Sequence, residues 1–302
     1  MAEKPNASAT RACADPPLGR TAAKRPWGGK SHVATRATRL RRVRDRVLRD
    51  ARIAPGDRLL DLGAGTGLVA LGARKRLTEE GSVVACDLSL GALLECRRRA
   101  DEEDPAGGRL HLVGGDALAL PFRDDLFDAA TTRSVLMYVK DRRHALQELF
   151  RVLRPAGRLS IYEPINRVTE NPGPWGGPLD ARQVERDRVR VRGYLEERSE
   201  FFELMAGFDE RDLVREFVEA GFAPVTLEYE YHEDRRGYTK REGATYLSIR
   251  LIPGTVSYEE AARAVLGECA DEHLQRYFDL LMSHSFRIVW AVAYLRGTKP
   301  KT

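Results

Sequence analysis

The 302-residue sequence has few cysteines, and these are widely spaced. Cys13, Cys86, Cys96 and Cys269 form no C-x-x-C pair, so they indicate neither a zinc site nor a disulfide framework, and no metal is predicted. Long apolar runs are also missing, since the longest spans residues 288–295 and is far too short for a membrane span. The N-terminus lacks the apolar core of a signal peptide. We therefore predict a cytoplasmic protein.

Aliphatic side chains are almost absent from residues 1–30, which are rich in Ala, Pro, Gly, Lys and Arg. Such a composition cannot offset the entropy lost on ordering, so we predict a disordered basic tail over residues 1–30. The whole chain is 42% hydrophobic and 31% charged, which is typical of globular proteins. We predict one folded domain over residues 31–302.

Positive charge is concentrated at the start of the chain. Residues 1–52 hold 14 Lys/Arg and 4 Asp/Glu, a charge of +10, whereas residues 53–302 hold 36 and 41, a charge of −5. This asymmetry raises nucleic-acid binding as a hypothesis. Trp27 is the only aromatic residue of the basic segment, which favours a solvated tail instead. Over residues 31–51 the apolar positions recur every three or four residues, so an amphipathic helix should pack on the domain.

A strand and a glycine loop are predicted over residues 59–67, with the sequence LLDLGAGTG. Three leucines run directly into glycines at alternate positions, and a helix follows. Glycines permit positive φ and let backbone N–H groups face a ligand at the start of a helix. The pattern predicts a nucleotide-type ligand site in an α/β fold.

Asp61 stands two residues before the first glycine, at the carboxyl end of the strand. A carboxylate there is unfavourable beside a pyrophosphate but suits a ligand that carries an ammonium and a sulfonium. The segment Asp-x-Gly-x-Gly-x-Gly resembles motif I of class I S-adenosylmethionine (SAM) dependent methyltransferases. Residues 65–70 also satisfy the dinucleotide pattern G-x-G-x-x-G/A, so the loop alone leaves an NAD-dependent oxidoreductase open.

A second strand over residues 83–86 ends at Asp87, about 20 residues after the loop. An acid at this place can accept hydrogen bonds from ribose hydroxyls, which both NAD and SAM carry. Ser89 should cap the next helix, which leaves Asp87 available for a ligand. The resemblance includes Leu88 among the residues expected to contact the cofactor.

A third strand, residues 110–113, leads into the sequence GGDALALPF over residues 114–122. This segment resembles the next landmark of the methyltransferases. The resemblance implies that Asp116 accepts the adenine amino group and that the backbone N–H of Ala117 reaches the ring. It implies further cofactor contacts by the loop, at Gly63, Gly65, Thr66 and Gly67.

Strands four and five are predicted over residues 127–133 and 158–162, with a helix between them capped by Asp141. Together with the sequence LFRVLRPAGRL of residues 149–159, they resemble small-molecule methyltransferases of the ubiquinone/menaquinone C-methyltransferase type. The resemblance covers about residues 55–165. It departs at Met137 and Tyr138, where many relatives carry histidines.

Candidate acid/base groups are Tyr138 and Glu163, at the ends of strands four and five, with His232 and His284 as outside possibilities. A structural role is the alternative for each. Arg133 is expected to contact the methionine half of SAM or an anionic acceptor, and we favour the former.

The C-terminal half is expected to complete the sheet. Residues 225–231 alternate between apolar and polar side chains, which marks an edge strand, whereas residues 286–295 are apolar on both faces, which marks an interior strand. This favours the methyltransferase sheet, a doubly wound, mostly parallel α/β sheet of seven strands whose last strand inserts antiparallel between the fifth and sixth. Residues 164–208 and 233–285 are predicted to be helical insertions.

The resemblance implies an enzyme that transfers the methyl group of SAM to a small or medium-sized organic acceptor. An RNA-directed methyltransferase that uses the basic arm is the alternative, and an NAD-dependent oxidoreductase is less favoured because no second catalytic constellation is found. Strand four is not followed by an Asn-Pro-Pro-Tyr type tetrapeptide, which argues against methylation of a base amine. The acceptor and the oligomeric state are not predicted.

Overall fold

The computed structural model describes residues 30–103, 109–170, 182–198, 200–248 and 255–301. The predicted tail lies outside these ranges apart from Lys30. No helix within them is long and apolar enough to cross a bilayer.

Seven strands form one mixed sheet in the order β3-β2-β1-β4-β5-β7-β6. They are β1 (Arg58–Leu62), β2 (Ser82–Asp87), β3 (Arg109–Gly114), β4 (Phe127–Arg133), β5 (Leu153–Glu170), β6 (Val225–Arg236) and β7 (Phe286–Thr298). The first five strands are parallel, and β7 is antiparallel to both β5 and β6. The predicted doubly wound fold is confirmed, including the place of the last strand.

Helices cover both faces of the sheet and also form a separate group. They are α1 (Lys30–Asp50), α2 (Leu68–Arg74), α3 (Leu90–Glu103), α4 (Arg142–Val152), α5 (Arg182–Glu196), α6 (Glu200–Ala206), α7 (Glu210–Glu219), α8 (Lys240–Ser248), α9 (Tyr258–Leu266) and α10 (Ala270–Ser283). Buried side chains of α1, α2 and α3 share one core with the sheet, and those of α4 and α7 share a second. The predicted amphipathic helix is α1, which buries Val43, Val47 and Leu48 against the domain.

The edge and interior strands were distinguished correctly from their patterns. β6 has one neighbour, and its Tyr229 and Tyr231 are exposed. β7 lies between two strands, and residues 291–295 are buried on both faces. A strand covered on both faces needs apolar side chains at every position, which is the pattern seen.

Several element boundaries differ from the prediction. β6 runs to Arg236 rather than ending at residue 231, so the start of the predicted insertion 233–285 is strand. The apolar spacing of Leu68, Leu71 and Leu77 predicts a helix that ends at Gly81. α2 instead ends at Arg74, and the following segment folds back, with the N–H of Thr78 donating to the carbonyl of Pro55 at 2.9 Å. A Cβ at Gly81 would lie 2.5 Å from the same carbonyl oxygen, so this glycine permits a close approach rather than ending a helix. β5 is much longer than residues 158–162, because it continues to pair with β7.

Four helices of the two predicted insertions pack together around a third cluster of buried side chains, which we call the insertion core. Most of its residues come from α5, α8, α9 and α10, and they include Tyr246, Tyr258 and Tyr277. The spacing of Ser257 and Glu260 predicts a capping box at the start of α9. The box is present, since the side chains of Ser257 and Glu260 each accept the other's backbone N–H. Residues 171–181 and 249–254 of the insertions lie outside the described ranges.

Candidate cofactor and active site

The glycine loop joins β1 to α2, and its three glycines all have positive φ, at +67°, +54° and +90°. A Cβ at Gly63 would lie 2.2 Å from Cγ2 of Val135, and one at Gly67 would lie 2.6 Å from Sγ of Cys96. At Gly65 a Cβ would meet nothing within 4 Å. The first and third glycines therefore permit close packing inside the protein, whereas the middle one faces open space, where a ligand can approach the backbone.

Asp61 lies beneath this loop and is only 2% exposed. Its Oδ2 accepts the N–H of Ala70 at 2.9 Å, and its Oδ1 accepts the hydroxyl of Thr131 at 2.9 Å. Because Gly67 at the start of α2 has no side chain to cap the helix, Asp61 caps it from the neighbouring strand. Burial raises the pKa of Asp61 to about 7 in spite of these hydrogen bonds. Any electrostatic effect of Asp61 on a ligand would act through the loop rather than by contact.

Asp87 lies beside the open side of the loop and is half-buried. Its Oδ2 accepts the N–H of Gly65 at 2.7 Å, and its Oδ1 accepts the N–H of Ser89 at 2.8 Å. Each carboxylate oxygen has a further lone pair, so the group can still accept bonds from hydroxyls. The adjacent Leu88 is 77% exposed, and Ser89 caps α3 as predicted.

The segment with Asp116 and Ala117 follows β3, next to the end of β2. The N–H of Gly115 donates to the carbonyl of Asp87 at 3.2 Å, so the segment that carries Asp116 lies next to Asp87. Asp116 is exposed, and its Oδ1 accepts the N–H of Leu118 at 2.9 Å.

A pair on α4 that was not predicted holds this segment. The guanidinium of Arg151 donates to the carbonyls of Leu120 and Phe122 at 3.1 and 2.7 Å and to both carboxylate oxygens of Glu148. Glu148 in turn accepts the N–H of Leu120 at 2.8 Å. The spacing of three residues would have indicated a helical ion pair, but not its backbone partners, which only the fold brings near.

Arg133 ends β4 and is half-buried. Its positive charge acts to lower the pKa of both Asp61 and Glu163, so it lies near both buried carboxyl groups. Arg133 has no ion pair in the part of the chain that the structure describes. Its guanidinium is therefore available to an anionic group of a ligand.

The two predicted acid/base residues lie in different surroundings. Glu163 is 0% exposed, and burial raises its pKa to about 7. Its carboxylate accepts three backbone N–H bonds from residues 135–137. Tyr138 is half-buried in a 3-10 turn, Leu136–Tyr138, with its ring edge-on to Phe201 of α6 at 6.1 Å. A catalytic role stays a prediction for both residues.

The two histidines lie farther along the sheet. His232 is on the edge strand β6, where it stacks on Trp290 at 5.1 Å and its Nε2 lies 3.2 Å from Glu230. His284 is exposed between α10 and β7, with its Nδ1 2.8 Å from Oγ of Ser283. Neither histidine has a contact with the glycine loop among its described partners.

The fold and the loop geometry together define a Rossmann-like class I methyltransferase architecture. A family model described as a methyltransferase domain, Methyltransf_11, matches residues 60–161, which span the glycine loop and the strands on either side of it. Residues 60–161 thus resemble a methyltransferase domain.

Curated relatives share the same part of the chain. A ubiquinone/menaquinone biosynthesis C-methyltransferase of Vibrio parahaemolyticus is 38% identical over 116 residues, or 38% of this chain and 44% of the relative. The enzyme of that name from Cereibacter sphaeroides is 41% identical over 109 residues, or 36% of this chain and 43% of the relative. The chain therefore matches less than half the length of these relatives.

Two solved structures share the fold over most of the chain. One is a Bacillus halodurans protein assigned as a methyltransferase, with a TM-score of 0.54, 18% identity, and coverage of 85% of this chain and 99% of that one. The other is the YcgJ protein of Bacillus subtilis, with a TM-score of 0.54, 17% identity, and coverage of 86% and 98%. At these identities the likeness supports the fold alone.

Proposed function

We propose that this protein transfers the methyl group of SAM to a small or medium-sized organic acceptor. The observation that carries the proposal is the loop of the methyltransferase domain, where Gly65 faces open space beside the carboxylate of Asp87. The names of the relatives favour methyl transfer over the dinucleotide oxidation that the loop motif alone left open.

The described residues fit SAM along the carboxyl ends of the strands. Asp87 would accept the ribose hydroxyls, and Asp116 with Ala117 would hold the adenine beside Leu88. Gly63, Gly65, Thr66 and Gly67 would line the middle of the cofactor. The N–H groups of the three glycines already donate within the protein, to Cys86, Asp87 and Ala64, so the loop would contribute mainly by letting its backbone approach the ligand closely. Arg133, which has no ion pair among the described residues, would bind the methionine carboxylate.

The bound sulfonium would supply an activated methyl group, so the protein needs to position the acceptor and exclude water. Tyr138 lies beside α6 at the end of β4, where its phenol would orient a polar group of the acceptor. We infer that the 3-10 turn with Tyr138 and the side of α6 that carries Phe201 form the acceptor side of the site. The relatives' match ends at the cofactor domain, so the identity of the acceptor does not carry over from their names.

Calorimetry with SAM, with its demethylated product S-adenosylhomocysteine (SAH) and with NAD tests the proposal. We expect SAM and SAH to bind and NAD to show no heat of binding. Binding of NAD without binding of SAM would refute the assignment. A second assay, transfer of labelled methyl from SAM into a metabolite extract, would then identify the acceptor, with total RNA as the comparison substrate.

A further inference from the structure

A turn with an unusual backbone follows β4 and lies against the glycine loop. Ser134 has a φ of +56°, in the left-handed region that non-glycine residues rarely adopt. Its N–H donates to the carbonyl of Tyr162 at 2.8 Å, and the chain then enters the 3-10 turn that contains Tyr138. Such a conformation persists only where the surroundings stabilise it.

Glu163 supplies that stabilisation. Its Oε1 accepts the N–H groups of Val135 and Leu136 at 2.8 and 2.9 Å, and its Oε2 accepts the N–H of Met137 at 3.3 Å. Val135 begins the 3-10 turn and has no side-chain cap of its own. The carboxylate of the neighbouring strand thus satisfies three consecutive donors that would otherwise be buried without partners.

The same turn touches the cofactor loop. A Cβ at Gly63 would lie within 2.2 to 3.2 Å of three carbon atoms of Val135, so the two segments pack backbone against side chain. A displacement of the turn therefore changes the space available to the glycine loop. On its other side the turn presents Tyr138 to Phe201 of α6.

We propose that Glu163 is a positioning residue, which holds the turn of residues 134–138 in the shape that the cofactor site and the acceptor side require. A general base must reach the proton that it removes. Glu163 is 0% exposed and directs both oxygens at backbone N–H groups, so it acts on the ligands through the turn. This inference rests on the proposed function for its ligand, SAM, but the contacts of Glu163 are independent of it.

Two variants of similar size separate hydrogen bonding from simple filling of space. Glu163→Met fills the volume but accepts no hydrogen bond, whereas the amide oxygen of Glu163→Gln can still accept two of the three. The matched control is Glu242→Gln in the second predicted insertion, since Glu242 is 3% exposed and caps α8 by accepting the N–H of Thr239 at 2.8 Å.

Two measurements are made on each full-length variant, hydrogen exchange of the amides of residues 135–137 without ligand and calorimetry with SAH. In Glu163→Met we expect these amides to exchange at least roughly tenfold faster and SAH affinity to fall about tenfold, because a buried hydrogen-bonded network is lost. Glu163→Gln should lie between this variant and the wild type. Glu242→Gln should change neither quantity.

Unchanged exchange and SAH affinity in Glu163→Met would overturn the proposal. If Glu163→Met does not fold, the test rests on Glu163→Gln. Amide exchange and SAH affinity equal to those of the wild type in Glu163→Gln would also overturn the proposal. Failure of the wild type to bind SAH would instead count against the proposed function, while the exchange of the three amides would still test the role of Glu163.

Discussion

Replacing Asp87 with alanine should weaken SAM binding while the protein remains folded. The carboxylate lies at the end of β2 and already accepts the N–H groups of Gly65 and Ser89. In the proposed complex its remaining lone pairs accept the two ribose hydroxyls, and a charged acceptor makes each of these bonds stronger than a neutral one. Alanine removes both bonds to the ligand and also releases the glycine loop.

The size of the effect follows from the surroundings of the carboxylate. One hydrogen bond to a charged group contributes about 1.5–3 kcal/mol, but Asp87 is half-exposed, so we assign roughly that amount to the two ligand bonds together. The dissociation constant for SAM should rise by roughly ten- to a hundredfold. Loss of the two backbone partners should lower the free energy of unfolding by only about 1–2 kcal/mol.

A matched control separates binding from stability. Asp209 is also half-buried and accepts two backbone N–H groups, from Arg211 and Asp212, at the start of α7. Asp209→Ala should therefore cost similar stability and leave SAM affinity unchanged. Calorimetry and urea unfolding are measured for both variants. An affinity of Asp87→Ala within twofold of the wild type would show that the end of β2 does not hold the cofactor.

Three further predictions concern the loop, its buried acid and the tail. Gly65→Ala should fold, at a cost of about 1 kcal/mol for its positive φ, and should lose SAM binding. Gly63→Ala should unfold at a clearly lower temperature than Gly65→Ala because its Cβ would clash with Val135. Equal melting temperatures of the two variants would contradict the different roles of the two glycines. The pKa of Asp61 is raised to about 7 from 3.8, so its stabilising contribution is fully present below pH 4 and lost as the pH rises to 7. In urea unfolding of the ligand-free protein, the free energy of unfolding of Asp61→Asn should rise relative to that of the wild type as the pH increases from 4 to 7, and the difference should stay constant above pH 7. A difference that does not depend on pH would refute the raised pKa of Asp61. Deletion of residues 1–29 should leave the melting temperature and SAM affinity unchanged, because that segment has few apolar groups to bury. If the full-length protein binds RNA in a salt-sensitive way and the deletion removes this binding, the RNA-directed alternative is supported instead.

Local patterns in the sequence, together with the resemblance to methyltransferases, were enough to predict the fold. Runs of apolar residues with a period of two or without polar interruption predicted the strands, and Asp141 and the pair Ser257 and Glu260 predicted helix starts that the structure contains. The contrast between an alternating β6 and an apolar β7 predicted which of the two lies at the edge, because it reflects which faces are covered. The resemblance to methyltransferases implied the antiparallel insertion of β7 between β5 and β6.

The ligand site was predicted in part. The glycine loop and Asp87 were identified from their pattern and spacing, and Asp116 from the resemblance to methyltransferases. The structure brings all three together at one edge of the sheet. The spacing did not show that Asp61 lies beneath the loop rather than on its surface. It also did not show that Arg151 and Glu148 hold the segment after Asp116.

The sequence by itself determined the class of fold and the place of the cofactor loop, since both depend on the order of apolar residues, glycines and acids along the chain. Tertiary structure alone decided what the buried carboxylates do. Glu163 was predicted as a candidate acid/base group from its place at a strand end, yet its partners are the N–H groups of a turn 26 to 28 residues earlier. Whether a carboxylate meets solvent, a ligand or backbone depends on which distant segment packs over it, and no local pattern contains that information.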